Sequence, residues 1–168
     1  MATPTADLDT RYSEPEAEAP AWDEAAAILA AAELSWVTTV RSDGTPHVTP
    51  LITVVHEGTT YFCTGPDEQK ARNLRGNPAV ALTTGTNALH GGTDVVLEGT
   101  AQRVTDGDLI AALIEAWVAK YGEEWRFEPG DGVFEHPGGD GCAWVFAVRA
   151  TRAYAFGKAP YSQTRWTF

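Results

Sequence analysis

The stretch TTYFCTGPDEQKARNLRGNPAVALTT, from Thr59 to Thr84, decides the fold of this chain and contains most of its candidate functional residues. Its pattern predicts a strand from Thr60 to Thr64, a Gly-Pro turn, a short helix from about Asp67 to Gly76, and a second strand from Ala79 to Thr84. The first turn of a helix has backbone N–H groups without intrahelical partners and the positive end of the helix dipole. The junction between the first strand and the helix is therefore suited to an anion.

The residue types at this junction favour a phosphate. Thr64 and Gly65 end the strand, and Lys70 and Arg72 lie in the helix that follows. The same residues are also typical of a solvated surface helix after an ordinary strand terminator. The pattern matches neither a Walker loop nor a dinucleotide-binding fingerprint, so local chemistry alone leaves both interpretations open.

Three antiparallel strands are predicted between Ser35 and Thr64. Ser35 to Val40 is β-branched, the Asp43-Gly44 pair favours a tight turn, and Val48 to Val55 returns toward the strand that ends at Thr64. Pro50 cannot donate a ladder hydrogen bond, so it indicates an edge, a bulge or a break. A break would let a flat ligand reach main-chain amides, whereas an edge strand needs no ligand.

After this stretch the pattern predicts two more strands and a helix. Asp94 to Val104 is a strand in which Gly99 indicates a bulge or bend. Apolar residues three and four apart predict a helix from Asp106 to Gly122. Cys142 to Gly157 is a sixth strand, bent near Ala150.

The predicted fold is mainly β: a six-stranded antiparallel split barrel with two longer helices and one short helix. The other long helix is predicted from Ala21 to Glu33, where helix-forming residues dominate. Residues 1 to about 20 have few large apolar side chains, so we expect a disordered tail before a single domain of residues 21 to 168.

The composition restricts the partners. The net charge of −11 and the isoelectric point near 4.6 disfavour binding to nucleic acid or to an anionic membrane. No apolar run is long enough for a membrane span, and the chain has only two cysteines and no signal peptide pattern, so we expect a cytoplasmic protein.

The order and spacing of several residues resemble the FMN-binding split-barrel superfamily of pyridoxamine-phosphate-oxidase-like proteins. These residues are Gly44-x-Pro46, Thr64, Gln69-Lys70, Asn73-Leu74 and Asn77-Pro78. The resemblance implies an obligate homodimer with the flavin in a cleft between the protomers. It also implies that Thr64 and Lys70 hold the flavin phosphate.

The resemblance further implies a set of cofactor-binding positions in the two protomers. The stretch from Thr49 to Ile52 would line the isoalloxazine ring, and Asp94 would lie beside the ring. Arg165 and Trp166 would reach the ring from the partner chain. The complete expected set is Thr49, Pro50, Leu51, Ile52, Cys63, Thr64, Gln69, Lys70, Arg72, Asp94, Arg165 and Trp166.

The chain departs from true pyridoxamine phosphate oxidases at three places. Thr49 stands where those enzymes have an Arg that binds the flavin phosphate, and Val54 stands where they have a substrate-binding Lys. Arg165-Trp166-Thr167-Phe168 stands in place of their C-terminal Arg-Leu-x-Pro motif. We therefore expect an oxidoreductase that transfers hydride to or from another small molecule, with FMN or the deazaflavin coenzyme F420. The alternative is a non-catalytic flavin-binding, haem-binding or stress protein.

No residue is identified as catalytic, and no metal site is expected. His47 lies near the matched strand. It is a candidate proton donor, and the alternative is an ordinary strand residue at the surface. The chain lacks the HExxH and paired CxxC motifs of metal sites. Cys63 lies in an apolar strand, which favours an inert buried thiol over a nucleophile.

Overall fold

The computed structural model describes residues 4–168. Over this range the chain forms three α-helices, eleven strands and one short 3₁₀ turn at Glu123–Trp125. None of these helices is long and apolar enough to cross a membrane. The helices are α1 Trp22–Ala31, α2 Gln69–Gly76 and α3 Gly107–Tyr121. The strands are β1 Thr5–Leu8, β2 Ser35–Val40, β3 Pro46–Leu51, β4 Thr53–His56, β5 Thr59–Thr64, β6 Ala79–Gly85, β7 Thr93–Arg103, β8 Glu128–Pro129, β9 Phe134–Glu135, β10 Cys142–Lys158 and β11 Tyr161–Thr167.

The predicted antiparallel split β-barrel is confirmed, and its sheet is not closed. Antiparallel neighbours follow the order β10, β7, β6, β2, β3 on one side of β10, and β5 followed by β4 on its other side. The single strand predicted from Val48 to Val55 is two strands, because the ladder is interrupted at Ile52. Pro50 lies inside β3, an edge strand, and pairs with Trp36. The edge is therefore at Pro50, and the break is two residues further on.

Strand β10 is long enough to belong to both halves of the split barrel. Its first part pairs with β5 and its second part with β11, while β7 runs along its other edge. The register shifts between Ala150 and Arg152, which confirms the predicted bend. Gly99 is opposite Ala150, and a Cβ at Gly99 would lie 2.0 Å from the carbonyl oxygen of Arg149. Only glycine permits this close approach of the two strands.

Two apolar clusters hold the fold together. One fills the barrel and contains the buried side chains of Phe62, Leu82 and Trp166. The other joins α3 to the sheet and contains Ile110 and Trp117. The apolar residues of α3 are spaced three and four apart, so they form one buried face, and Asp106 caps the helix by accepting a hydrogen bond from the Leu109 N–H at 2.8 Å.

The structure departs from the expected disordered tail over residues 1–20 at Thr5–Leu8. These residues form β1, which pairs with β11 along its free edge. Strand addition satisfies main-chain hydrogen bonds whatever the side chains are, so the low apolar content did not prevent it. Asp7 also accepts a hydrogen bond from Arg165 at 2.7 Å. Residues 1–3 of the expected tail lie outside the described residues.

Candidate functional site

The candidate site is at the junction of β5 and α2, where Gly65 and Pro66 end the strand. Glu68 is the last residue before the helix and has an extended backbone, with φ −72° and ψ 153°. Ala71 and Leu74 are buried against the barrel, while Arg72 and Arg75 are exposed on the opposite side of α2. The short helix is therefore held by its apolar face, and its first residues remain next to the end of β5.

Lys70 is the buried cation of this junction. Its side chain is 6% exposed, and its Nζ donates to Oε2 of Glu68. The other oxygen of the same carboxylate, Oε1, accepts the N–H of Gly65 at 2.8 Å. Partial burial would raise the pKa of Glu68, but the hydrogen bonds from Lys70 and Gly65 outweigh it and the pKa is lowered. The carboxylate of Glu68 is therefore ionised at neutral pH.

A chain of hydrogen bonds connects α2 to the two strands beneath it. Gln69 Nε2 donates to Oδ1 of Asn73 at 2.8 Å, and Asn73 Nδ2 donates to Oγ1 of Thr39 at 2.9 Å. Thr39 Oγ1 is also 3.5 Å from Nδ1 of His47 on β3. Gln69 therefore supports Asn73, and Asn73 ties α2 to β2.

His47 is held as a neutral imidazole next to the site. Burial lowers its pKa most, and the positive charges of Arg41 and Lys70 lower it further, while Glu68 has the opposite effect. A neutral imidazole can accept or donate a hydrogen bond without adding charge. The positive charge that faces a ligand at this junction is therefore that of Lys70, not that of His47.

Strand β3 presents an unpaired hydroxyl on the same face as His47. Alternate residues of β3 are half-buried, and Thr49 is two residues after His47, so their side chains share a face. Thr49 Oγ1 is buried and has no hydrogen-bond partner in residues 4–168. A buried polar atom without a partner costs free energy, so it indicates a position where a bound molecule supplies the missing hydrogen bond.

The four residues of the expected ring-binding stretch differ in their surroundings. Thr49 and Leu51 are half-buried on the inner face of β3, whereas Pro50 is exposed on the outer face. Ile52 lies in the break between β3 and β4 and packs against the cluster beneath α3. The side chains therefore alternate between the two faces, and only the main chain runs continuously past the junction.

The end of α3 fixes the break at Ile52. The hydroxyl of Tyr121 accepts the N–H of Thr53 at 3.0 Å and faces the carbonyl oxygens of Thr53 at 2.8 Å and Glu33 at 3.1 Å. Lys120 Nζ donates to the carbonyl of Thr53 at 2.7 Å, and burial lowers the pKa of Lys120. These contacts satisfy the main chain of Thr53 at the break, where the sheet ladder is interrupted.

Cys63 and Thr64 close β5 directly before the turn. Burial raises the pKa of the Cys63 thiol to about 12, with a further contribution from the charge of Glu68. This thiol is therefore protonated and unreactive at neutral pH. Thr64 is buried, and its hydroxyl is 3.5 Å from the carbonyl oxygen of Gly65 and also contributes to lowering the pKa of Glu68. This hydroxyl is close enough to the turn to donate a hydrogen bond to a ligand bound by Lys70.

Three expected site residues other than Trp166 lie away from the junction. Asp94 forms an ion pair with Lys158 at 2.6 Å in a separate groove between α1 and the ends of β6 and β7. Arg165 is paired with Asp7. Arg72 points outward and lines a neighbouring surface groove of about 700 Å³, which Arg41 and Gln69 also line.

Trp166, which the resemblance placed over a cofactor of the partner chain, lies in the core of its own barrel. Trp166 is 1% exposed within the apolar cluster of its own barrel, and its ring is 5.5 Å from that of Trp22. The C-terminal segment is strand β11, which pairs with β10 and β1. Burying the large indole in its own core stabilises the chain, which explains the aromatic terminus without a partner.

Several residues that shape the site were not identified from the sequence. Glu68 stands two positions before Lys70, so its opposite charge is a signal that could have been used. Tyr121 is 68 residues from Thr53, and nothing in the local pattern connects the two. Arg75 and Arg103 are 4.6 Å and 4.2 Å from the ring centroid of Trp144, an arrangement that fixes the end of α2.

The donors at the junction fit a phosphate monoester. Lys70 offers a buried ammonium group, Gly65 a main-chain N–H, and Thr64 a hydroxyl, all within a few residues of the end of β5. The unpaired hydroxyl of Thr49 is a separate indication of a ligand on β3. No group of three or more His, Cys, Asp or Glu side chains in residues 4–168 is arranged to hold a metal ion.

Comparison with known proteins supports the fold described above. Residues 21–154 match the family model described as pyridoxamine 5'-phosphate oxidase. No curated protein matches the chain significantly.

Solved structures show the same fold at low sequence identity. A heme binding protein from Mycobacterium smegmatis is 19% identical with a TM-score of 0.66, and the match covers 84% of this chain but only 55% of that protein. A conserved hypothetical protein from Mycobacterium tuberculosis is 20% identical with a TM-score of 0.67, covering 90% of both chains. An F420 reductase is 22% identical with a TM-score of 0.56, covering 76% of this chain and 93% of the reductase.

Proposed function

Because the chain belongs to the pyridoxamine 5'-phosphate oxidase family, we propose that it is an oxidoreductase that uses a flavin or deazaflavin to transfer hydride to or from a small molecule. FMN is the proposed cofactor, and the deazaflavin F420 is the alternative. The structural likeness to an F420 reductase supports keeping that alternative. The two free cysteines suit a reducing cytoplasm.

The observation that carries this proposal is the buried Lys70 at the end of β5. A lysine whose side chain is only 6% exposed, in a chain of net charge −11, needs an anionic partner. Glu68 supplies that partner in the free chain, and a ligand phosphate would replace it. The main-chain N–H of Gly65 and the hydroxyl of Thr64 would complete the phosphate site.

The cofactor supplies hydride chemistry when bound, and the protein supplies binding and orientation. We propose that the main chain from Thr49 to Ile52 runs along the ring, where N–H groups can stabilise negative charge on it. The hydroxyl of Thr49 would gain the hydrogen bond that it lacks in the free chain. No acidic or basic side chain is assigned to the chemical step.

Oxidation of pyridoxamine phosphate itself is not proposed. At the two positions where the resemblance implies cations, the chain has a threonine and a valine. Val54 is 2% exposed in an apolar cluster, so it offers nothing to the phosphate of a vitamin B6 substrate. We expect no turnover of pyridoxamine phosphate by the flavin-loaded protein, whereas robust turnover would overturn this part of the proposal.

The proposed unit is a homodimer with the cofactor at the subunit interface. Trp36 and Val48 lie on the outer face of the β2–β3 ladder and are 49% and 52% exposed. Leu34 is also exposed directly before β2. Together these side chains form an apolar face at the sheet edge that a second protomer would cover.

A second candidate function is non-catalytic binding of a cofactor, including haem. The structural likeness to a heme binding protein supports it, although that protein is much longer than the matched region. In this case the same fold would carry or store a cofactor without turnover, and no residue of the junction argues against it.

Separate titrations of the purified protein with FMN, F420 and haemin test the proposal. We expect saturable binding of FMN, or of F420 in its place, followed through quenching of the cofactor's own fluorescence. Saturable binding of haemin alone would favour the carrier function. Binding of none of the three would contradict both candidates.

A further inference from the structure

Glu68 occupies the donors that the proposed phosphate needs. One carboxylate oxygen accepts from Lys70 Nζ, and the other accepts from the Gly65 N–H at 2.8 Å. A phosphate monoester also presents several oxygens on one centre and binds ammonium and main-chain N–H groups in the same way. The two carboxylate oxygens of Glu68 thus occupy the positions that two phosphate oxygens would occupy.

The side chain of Glu68 is free to leave this position. It is 52% exposed, whereas the side chain of Lys70 is 6% exposed. Glu68 precedes the first residue of α2, and its side chain makes no capping hydrogen bond to the helix. Rotation about its side-chain bonds would therefore move the carboxylate into solvent without disturbing α2.

Lys70 cannot leave with equal ease. It is buried under α2, next to β3 and close enough for its charge to lower the pKa of His47. An unpaired ammonium in this position is costly, so an anion beside Lys70 is favoured. In most molecules the site therefore holds one anion, either Glu68 or a ligand.

We propose that Glu68 is an internal ligand of the cofactor site, which holds Lys70 and the Gly65 N–H in place until the phosphate of the cofactor displaces it. This inference rests on the proposed function, because it names how the same site is occupied before the cofactor binds. Glu68 determines selectivity: a ligand with a phosphate can compete for Lys70, whereas the same ring without a phosphate cannot.

The exchange sets the affinity of the site. When only a fraction of the free molecules has the binding-competent arrangement, the apparent affinity falls by that fraction. If Glu68 occupies Lys70 in about nine of ten free molecules, removing its charge strengthens phosphate binding about tenfold. Binding of a ligand that makes no contact with Lys70 is unaffected.

The test compares Glu68→Gln with Asp67→Asn, using FMN and riboflavin as probes. Riboflavin has the same ring as FMN and lacks the phosphate. Asp67→Asn removes the same charge one residue away, from an exposed side chain whose carboxylate makes no hydrogen bond within residues 4–168. We expect Glu68→Gln to bind FMN about tenfold more tightly than wild type and riboflavin equally well, and Asp67→Asn to change either affinity by less than about twofold.

The outcomes separate this inference from the proposed function. If the wild type prefers FMN to riboflavin but Glu68→Gln binds FMN no better than Asp67→Asn, the internal ligand is wrong and the phosphate site stands. If the wild type binds riboflavin and FMN equally, the phosphate site itself is wrong. Weaker FMN binding by Glu68→Gln would also overturn the inference, since Glu68 would then assist the ligand.

A measurement on the wild type avoids dependence on any variant. The side-chain carboxyl ¹³C resonance of Glu68 and the amide resonance of Gly65 report the hydrogen bond between them. We expect both to shift when FMN is added and to stay in place when riboflavin is added. If FMN saturates the protein and neither resonance moves, Glu68 is not displaced and the inference fails.

Discussion

At the residue scale, the candidate site depends on one buried ion pair in an acidic protein. Within residues 4–168, Lys70 is the one charged residue that is buried, and Glu68 is its partner. The charge of Lys70 also acts on its neighbours, because it contributes to lowering the pKa of His47 and opposes the rise in that of Cys63. Replacing Glu68 with another anion beside Lys70 would therefore also change the pKa values of His47 and Cys63.

Cys63 provides a prediction for the free chain. Burial raises its pKa from 9.0 to about 12, so its thiolate fraction near neutral pH is about a thousandfold below that of an ordinary cysteine. We expect a thiol reagent at pH 8 to leave Cys63 unmodified in the native Cys142→Ala variant. The same variant should react at once in denaturant. As the pH rises toward 12, the native reaction should accelerate, because the thiolate fraction increases.

The Cys63→Ala variant is the control for this labelling experiment, because any native reaction that it retains comes from Cys142. Fast modification of Cys63 at pH 8 in the folded protein would show that the thiol is activated. In that case the interpretation of Cys63 as an inert thiol would have to be abandoned.

At the scale of elements, the break between β3 and β4 is the feature that opens the barrel. The end of α3 compensates for the interrupted ladder through the hydroxyl of Tyr121 and the ammonium of Lys120, both on the main chain of Thr53. Ser35 and Thr53 also share a hydrogen bond of 3.1 Å between their hydroxyl groups. Helix α3 therefore determines where the strand turns.

The Tyr121→Phe variant tests this role. Loss of the hydroxyl leaves the Thr53 N–H without its partner, and an unsatisfied buried donor costs about 1–3 kcal/mol. We expect the free energy of unfolding, measured by urea denaturation, to fall by about that amount.

The matched control for Tyr121→Phe is Tyr154→Phe, which removes a half-buried hydroxyl that makes no hydrogen bond within residues 4–168. It should leave stability almost unchanged. Equal stability of the two variants would mean that Tyr121 does not support the break.

The elements that the sequence predicted are those with strong local patterns. Strand β2 and helix α2 follow from β-branched residues and from helix formers between Pro66 and Gly76, and the bend near Ala150 was also expected. Strand β1 was missed, because strand addition depends on the free edge of β11 and not on the apolar content of Thr5–Leu8.

The candidate site was predicted only in part, for a related reason. Lys70 and Thr64 belong to a local pattern, and the structure puts Thr64 at the end of β5 and Lys70 in the first turn of α2. Asp94 and Trp166 were assigned by resemblance, and their positions depend on contacts with Lys158 and with the barrel core. Such contacts join distant parts of the chain, so spacing in the sequence does not determine them.

At the scale of the whole molecule, the exposed apolar face of the β2–β3 ladder indicates how two chains would meet. We predict that the wild type runs at twice the 18.0 kDa chain mass in size-exclusion chromatography with light scattering. The Val48→Asp variant puts a charge into the apolar centre of the face, so it should run as a monomer.

Trp125→Asp is the control for this experiment, because Trp125 is also exposed, at 40%, and lies in the 3₁₀ turn after α3. This variant should remain a dimer. A monomeric wild type, or a Val48→Asp variant that stays dimeric, would contradict the proposed interface and with it the shared cofactor cleft.

The central claim is that Lys70 holds the phosphate of the cofactor, and the most direct test is the affinity of Lys70→Ala for FMN and for riboflavin. Hydrogen bonds to a charged group contribute about 1.5–3 kcal/mol, so we expect FMN binding to weaken by about tenfold to a hundredfold and riboflavin binding to stay the same. Arg11→Ala, which removes a cation from the N-terminal segment, should change neither affinity. Full retention of FMN affinity by Lys70→Ala would contradict the account.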